Sequence, residues 1–367
     1  MTVLPWLGWL LTAAAIAYQW AAVRALSAHL RQPRPSPITR PGMSVLKPLC
    51  GAEPGLAENL AATLAQAYPT FQVVVGVASP EDSALAALPP LGFELVVNGD
   101  VHGANLKISN LLNMLPSASQ PVVVFADSDV RPDPGWLDDI AAALEEPAAG
   151  MVTSLYVGRP DATLWSRLGA MAINHGFLPS ALVARRLGRV DGCFGATMAL
   201  PRDYLTRIGG LEPLAEVLAD DWRLGAMVRQ AGRSIALTAR PVDLMVGETD
   251  LPSLLAHEIR WGRTVAAVDR WGHLGSIMTQ PLAVGLLGVA CGAGPWPLLA
   301  GLVARAWAIR AQEKILKLAP APLGLLALRE GLSLVVFFAA CLGRSVLWRG
   351  RRYRIRRDGT LEFASNG

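Results

Sequence analysis

The stretch "VVVFADSDVRPD", Val122 to Asp133, decides how this chain is read. An apolar run with no alternation predicts a strand covered on both faces, as in sheets flanked by helices on either side. It delivers Asp127 and Asp129 to one spot, where two like charges repel. Asp-x-Asp at a strand end suits a hard divalent cation, which takes oxygen ligands and offsets that repulsion. With Mg²⁺ two side chains suffice if a substrate diphosphate supplies further oxygens. The competing use of such acids is a turn or a helix cap, and Asp133 before "PGW" is assigned to one.

Working outward, short β-branched runs alternate with helical patterns. "MSVLKPL" at 43, "FQVVVGVA" at 71, "FELVVN" at 93, "PVVVFA" at 121 and "MVTSLYV" at 151 read as strands. Between them, 55–67, 106–115 and 135–146 carry apolar residues at helical spacing. This rhythm predicts an α/β domain with a mostly parallel sheet, in which ligands bind beyond the carboxyl ends of the strands. The "DSD" triplet falls there.

The whole chain of 367 residues is 52% hydrophobic, with mean hydropathy +0.35, high for a protein that lives wholly in water. Val3 to Leu26 offers about 20 uncharged residues before Arg24, enough for a transmembrane helix, with Trp6, Trp9 and Trp20 as interfacial anchors. Basic residues follow this segment and none precedes it, which places the main domain in the cytoplasm. The expected protein is an integral membrane protein with its main domain in the cytoplasm. Its divisions are an N-terminal transmembrane helix (1–27), a proline-rich linker (28–42), an α/β domain (43–272), C-terminal transmembrane or re-entrant helices (273–347) and a basic cytoplasmic tail (348–367).

The C-terminal crossings are open to two counts, because Arg329 and Glu330 interrupt one apolar stretch and "RAWAIRAQEKILK" the space between two. An interfacial helix lying in the membrane plane reconciles the charge pattern. The formal charge of +4 does not argue for nucleic acid: basic residues gather beside apolar spans, notably in "WRGRRYRIRR", where anionic lipid headgroups account for them. Four scattered cysteines without ligand spacing argue against structural zinc and for reduced thiols.

Further chemistry is expected at three places. Asp220 and Asp221 begin a predicted helix; one suffices as a cap, and burial beside a like charge would raise the other into the range of a general base, so Asp221 is the candidate. "HEIRW" presents His257, Arg260 and Trp261, where arginine can neutralise a departing diphosphate and tryptophan can shape the pocket. Lys107 and Arg202 are further cations with phosphate in reach, although each alone reads as a surface charge.

Together "SPED" (79 to 82), "DSD", "DD" and "HEIRW", between apolar ends, resemble the membrane-bound inverting glycosyltransferases of the GT-A fold, in particular the ceramide glucosyltransferase family and its bacterial hopanoid-biosynthesis relatives. "SVLKPLCGAEPGLAENL", "KISNLLNML" and the region from "GRPDATLW" to "GATMALPRD" carry the likeness over roughly residues 43–360. The resemblance implies a Rossmann-like GT-A domain, a UDP-sugar donor, a membrane-lipid acceptor, Mg²⁺ or Mn²⁺ and, through the bacterial relatives, a place in a bacterial inner membrane. It implies nucleotide contacts at Glu81 or Asp82 and at Asp127, a metal ligand at Asp129, the base at Asp221, and leaving-group contacts at Arg260 and Trp261. The family has Gln or Arg where His257 stands, which makes His257 a further candidate for metal or phosphate. An acceptor side at His175, Gly192, Cys193 and Asp220 completes the set. Glucose transfer to ceramide leads; transfer of N-acetylglucosamine to a hopanoid polyol is the alternative, ahead of a processive polysaccharide synthase and an inactive nucleotide or lipid sensor.

Overall fold

The computed structural model describes residues 3–189, 192–343, 345–348, 351–356 and 360–363. In chain order the elements are α1 (Leu4–Leu30), β1 (Met43–Pro48), α2 (Leu56–Leu64), β2 (Phe71–Val77), β3 (Glu94–Val97), α3 (Leu106–Met114), β4 (Val122–Ala126), β5 (Val130–Arg131), α4 (Trp136–Leu144), β6 (Ala149–Thr153) and β7 (Tyr156–Pro160). Next come α5 (Leu164–Ala172), a π-helical turn (Ile173–Phe177), α6 (Leu178–Arg186), β8 (Thr197–Pro201), α7 (Arg202–Arg207), α8 (Asp220–Gln230), β9 (Ser234–Leu237) and β10 (Val242–Val246). The C-terminal part holds α9 (Leu251–Val268), α10 (Arg270–Gly275), α11 (Pro281–Ala290), α12 (Trp296–Ile315), α13 (Leu323–Cys341), β11 (Ser345–Trp348), β12 (Arg351–Ile355) and β13 (Leu361–Phe363).

A seven-stranded sheet in the order β3-β2-β1-β4-β8-β6-β9 forms the centre. It is parallel except at β8, which runs antiparallel to both β4 and β6. The reason for the apolar run in β4 is visible in its two faces. Val122, Val124 and Ala126 enter one hydrophobic cluster, Val123 and Phe125 the other, so no position faces water. The run at 151 is two strands rather than one: β6 ends at Thr153 in the main sheet, and β7 joins β10 and β5 in a separate small sheet. That second sheet lies beyond the end of β4, and its strand β5 takes the chain out of the Asp127–Asp129 turn.

By length and composition α1 and α13 are long and apolar enough to cross a membrane, and Arg270–Thr279 with Pro281–Ala290 forms a pair bent by 78°. Helix α1 continues to Leu30, into the expected linker, and the boundary drawn between 272 and 273 falls inside α10. Helices α1, α11 and α12 pack closely through small residues: a Cβ on Gly8 would stand 2.9 Å from the Gly288 Cα. The mid-helix charges of α13 are both paired. Arg329 holds Glu258 of α9 at 2.6 and 2.9 Å, and Glu330 holds Arg305 of α12 at 2.8 Å. Leu326 near the start of α13 packs with Leu168 and Leu254, and Arg263 of α9 donates to the Ala339 carbonyl near its end. Helix α13 therefore runs beside α9, with both ends against elements of the α/β domain.

The sequence pattern suggested a basic tail from 348, and the described part of it is folded. Strands β11, β12 and β13 form an antiparallel sheet whose Val346, Tyr353, Ile355 and Leu361 are buried with Ala104 and Leu218. The Leu361 amide donates to the Glu216 carbonyl at 2.8 Å, four residues before Asp220. In "RYRIR" the alternation puts Tyr353 and Ile355 inward and Arg352 and Arg354 outward. Residues 349–350, 357–359 and 364–367 of that tail lie outside the described residues.

Candidate active site

A cleft of about 370 Å³ opens beyond the carboxyl ends of β1 and β4. Its lining includes Lys107, Asp127, Asp129, Asp220, Asp221, His257, Arg260 and Trp261. The turn after β4, the start of α8, the start of α3 and the middle of α9 thus converge on one space, although the chain separates them widely.

The Asp127–Asp129 turn is held from below by a cation that the sequence reading missed. Lys47, fully buried on β1, donates from Nζ to the carbonyls of Asp127 at 2.8 Å and Val130 at 3.2 Å. Burial lowers its pKa to about 8, against the pull of Asp129 and Asp127. The signal was a single lysine inside the apolar strand "SVLKPL". On the cleft side Lys107 sits 2.6 Å from Asp127 Oδ1 and 3.6 Å from Asp220 Oδ2. Burial would lower its pKa, but these two carboxylates outweigh burial and raise it above the ordinary lysine range. Lys107 is therefore an acid-bridging cation here.

Asp129 is different. Its Oδ1 is buried with no hydrogen-bond partner. Burial, then the charges of Asp127 and Glu53, push its carboxyl well above the ordinary 3.8, and Lys47 and Lys107 offset this only in part. Glu53, which also lines the cleft, accepts from the Ser128 hydroxyl within the same turn. An acidic cluster with an orphaned oxygen fits a hard cation. Among the described residues no cluster of three or more His, Cys, Asp or Glu side chains is placed to hold a metal by itself, so a cation here would draw further oxygens from substrate or water.

Asp221 stands at the start of α8. Its Oδ1 accepts from its neighbour's amide at Trp222 (2.7 Å) and its Oδ2 from Gly195 (3.0 Å). Burial and then Asp220 raise its pKa to about 7, although those amides and Lys107 pull the other way. Gly195 lets the carboxylate approach: a Cβ there would meet Asp221 Oδ2 at 3.3 Å. The group is thus poised to exchange a proton near neutrality. Across the cleft His257 Nδ1 is 2.6 Å from Glu248 Oε1, and its ring meets Trp261 edge-on at 4.3 Å. Glu248 is a second residue that sequence reasoning did not single out; it fixes the imidazole that the cleft presents. Tyr156, another lining residue, stacks on Phe177 at 4.6 Å, and Phe177 meets Phe194 edge-on at 5.3 Å.

Other expected site residues lie outside this lining. Asp82 caps a short 3₁₀ turn beyond β2, accepting from Ala84 at 2.9 Å and from Gly51 at 2.8 Å, and Glu81 is bonded to Ser79 beside it. His175 is buried in the π-helical turn, where its carbonyl accepts from Arg305 at 2.9 Å. Burial, then Arg305, lowers its pKa to about 3, so the ring is neutral. Cys193 is buried against α8, and its thiol is pushed up by burial and by Asp221. Gly192 is half-buried beside the Phe194 ring. Arg202 donates to the Ala118 carbonyl before β4, and so serves the opposite end of that strand. Asp133 accepts from the Gly135 amide at 2.8 Å and pairs with Arg34, as expected of a turn acid.

The profile of glycosyl transferase family 21 matches residues 7–361. The chain belongs to that family. Ceramide glucosyltransferase 1 of Caenorhabditis elegans is 25% identical over 222 residues, 58% of this family 21 chain and 47% of the relative. Ceramide glucosyltransferase 3 of the same organism is 22% identical over 238 residues, 60% of this chain and 50% of the relative. The chain spans about half the length of these relatives. Among solved structures, the mannosyltransferase PcManGT of Pyrobaculum calidifontis, in complex with GDP-mannose and Mn²⁺, superposes with a TM-score of 0.50 at 21% identity over 92% of this chain and 98% of that one. The α/β domain of this family 21 member is a GT-A domain.

Proposed function

We propose that this chain transfers a sugar from a UDP-sugar to the hydroxyl of a membrane lipid with inversion, the leading pair being glucose and ceramide. The observation that carries the reading is the division of acids within one cleft. Asp221 has a pKa of about 7 and can take a proton, whereas Asp129 keeps an orphaned buried oxygen beside two further carboxylates. The choice of donor and acceptor rests on the names of the curated relatives.

In this mechanism the donor lies across the ends of β1 and β4 with its nucleotide toward Asp127 and the β2 end, where Glu81 and Asp82 stand. Asp221 accepts the proton of the lipid hydroxyl as that oxygen forms its bond to the anomeric carbon. The bond from the same carbon to the diphosphate breaks on the opposite face, and UDP departs with both bonding electrons. One displacement converts an α-linked donor to a β-glycolipid. Arg260 supplies fixed positive charge to the leaving diphosphate, and Trp261, held by its edge contact with His257, shapes the sugar side. A divalent cation, Mg²⁺ or Mn²⁺, would be held by Asp129 with Asp127 and Glu53 beside it, and would neutralise charge on the departing diphosphate. Gly192, Cys193 and His175 belong to the shell behind the acceptor side and Asp220 to its edge. Tyr156, backed by Phe177 and Phe194, gives the cleft an aromatic surface suited to lipid.

The domain lies on the cytoplasmic face, with α1 as its anchor. The test is to incubate the purified protein with Mg²⁺ or Mn²⁺, a panel of UDP-sugars and, as acceptors, ceramide, diacylglycerol and a hopanoid polyol, and to weigh the products. A hexosylceramide supports the leading pair, and a sugar-bearing hopanoid replaces it with the alternative. No glycolipid with any pair overturns the reading.

A further inference from the structure

A second cavity, of about 410 Å³, lies between α9, α10, α13 and the tail sheet. Arg263, Arg270, His273 and Arg356 line it, and among the described residues no carboxylate does. The nearby acids have partners: Asp269 pairs with Arg189 at 2.6 Å, and Glu362 pairs with the cavity's own Arg356 at 3.0 Å, which leaves Arg263, Arg270 and His273 as the cavity's uncompensated groups among the described residues. Two buried nitrogens are left without partners. Arg263 directs its terminal nitrogens to the Ser345 and Ala339 carbonyls, while its Nε has none. His273, 8% exposed and stacked on Phe337 at 5.0 Å, has an unpartnered Nε2. Arg270 has no acidic partner among the described residues.

Such a group, guanidinium donors with an unpartnered imidazole nitrogen around one space, matches the oxygens of a phosphate. Next in sequence to the lining residues Arg270 and Cys341, Trp271 is 79% exposed and Leu342 87% exposed, as suits residues at the level of lipid headgroups. We propose that this cavity binds a phosphate oxyanion, carried by an anionic phospholipid or free in solution, and that the bound group clamps α9 to α13 and the tail sheet. The site has a route to the cleft, because Arg263 lies three residues after Arg260 on α9. An occupant would tie the position of Arg260 and Trp261 to the membrane surface. This inference is independent of which sugar or acceptor the cleft takes.

The test uses the full chain in detergent micelles. Native mass spectrometry measures retention of phosphatidylglycerol against phosphatidylcholine, and a melting curve measures the effect of inorganic phosphate against chloride. Arg270→Gln removes an exposed side chain of the cavity; Arg352→Gln with Arg354→Gln removes two charges from the outer face of β12 as a control for diffuse attraction. Loss of a charged hydrogen-bond donor predicts roughly tenfold weaker binding in Arg270→Gln, with the control pair unchanged. Preference for phosphatidylglycerol alone assigns the phosphate to lipid; a melting shift with inorganic phosphate, lost in Arg270→Gln, assigns it to a free anion. The proposal is overturned by equal retention of the two lipids with no phosphate shift, by Arg270→Gln binding like the parent, or by an equal loss in the control pair.

Discussion

The two acidic pairs of the cleft share a composition but not a role. Asp127 and Asp129 sit on a turn supported from beneath by a buried lysine, whereas Asp220 and Asp221 begin a helix whose first amides are available to them. In the first pair Lys107 answers Asp127 and leaves Asp129 with an unpartnered oxygen. In the second pair two amides hold Asp221 in place and its pKa still stands at about 7. The comparison teaches that spacing in sequence places charges together, while the neighbours on the sheet and helix decide how each acid is held: Asp221 by two amides, Asp129 with one buried oxygen left open.

The largest expected effect comes from removing the group assigned to proton transfer. Asp221→Asn should lower sugar transfer by about 10³-fold, with nucleotide binding retained in calorimetry; turnover near the parent would remove the distinction between the pairs. Asp129→Asn should lower transfer by about 10²-fold and abolish stabilisation by Mn²⁺ in a melting assay. The same change sharpens the comparison through pH. Because the folded-state pKa of Asp129 is raised above 3.8, the metal-free protein favours the protonated form and loses stability as pH rises through the raised value. Asp129→Asn should remove that loss and melt higher, by roughly 2 °C, at neutral pH without cation. Lys107→Met should have a smaller effect on rate, about tenfold. Since Lys107 lowers the pKa of Asp221, its removal should move the acid limb of the pH profile to higher pH.

Much of the α/β domain was legible because its central strands are covered on both faces, which writes itself as unbroken apolar runs. Four of the strand runs and the three helical patterns fall on β1, β2, β3, β4, α2, α3 and α4. The run at 151 misled because Ser154 and Leu155 are buried like their neighbours, so the break between two sheets leaves no polar mark. The tail misled for the opposite reason. Its arginines dominate composition, and the alternation that buries Tyr353 and Ile355 shows only when positions are taken two at a time. Within the cleft, the acids and "HEIRW" were readable as motifs. Lys47 and Glu248 were not, because each acts through a partner distant in sequence or outside any motif. The pairing of Arg329 with Glu258, 71 positions apart, likewise had no local signature, although it sets α13 alongside α9.

The most direct test of the central claim is the pH dependence of single-turnover sugar transfer by the parent chain and by Asp221→Asn. With Asp221 as the base, the parent rate should fall tenfold per pH unit below an apparent pKa near 7, and the residual rate of Asp221→Asn should lack that limb. An acid limb near 7 that persists unchanged in Asp221→Asn, or a parent rate independent of pH from 5 to 8, would contradict it.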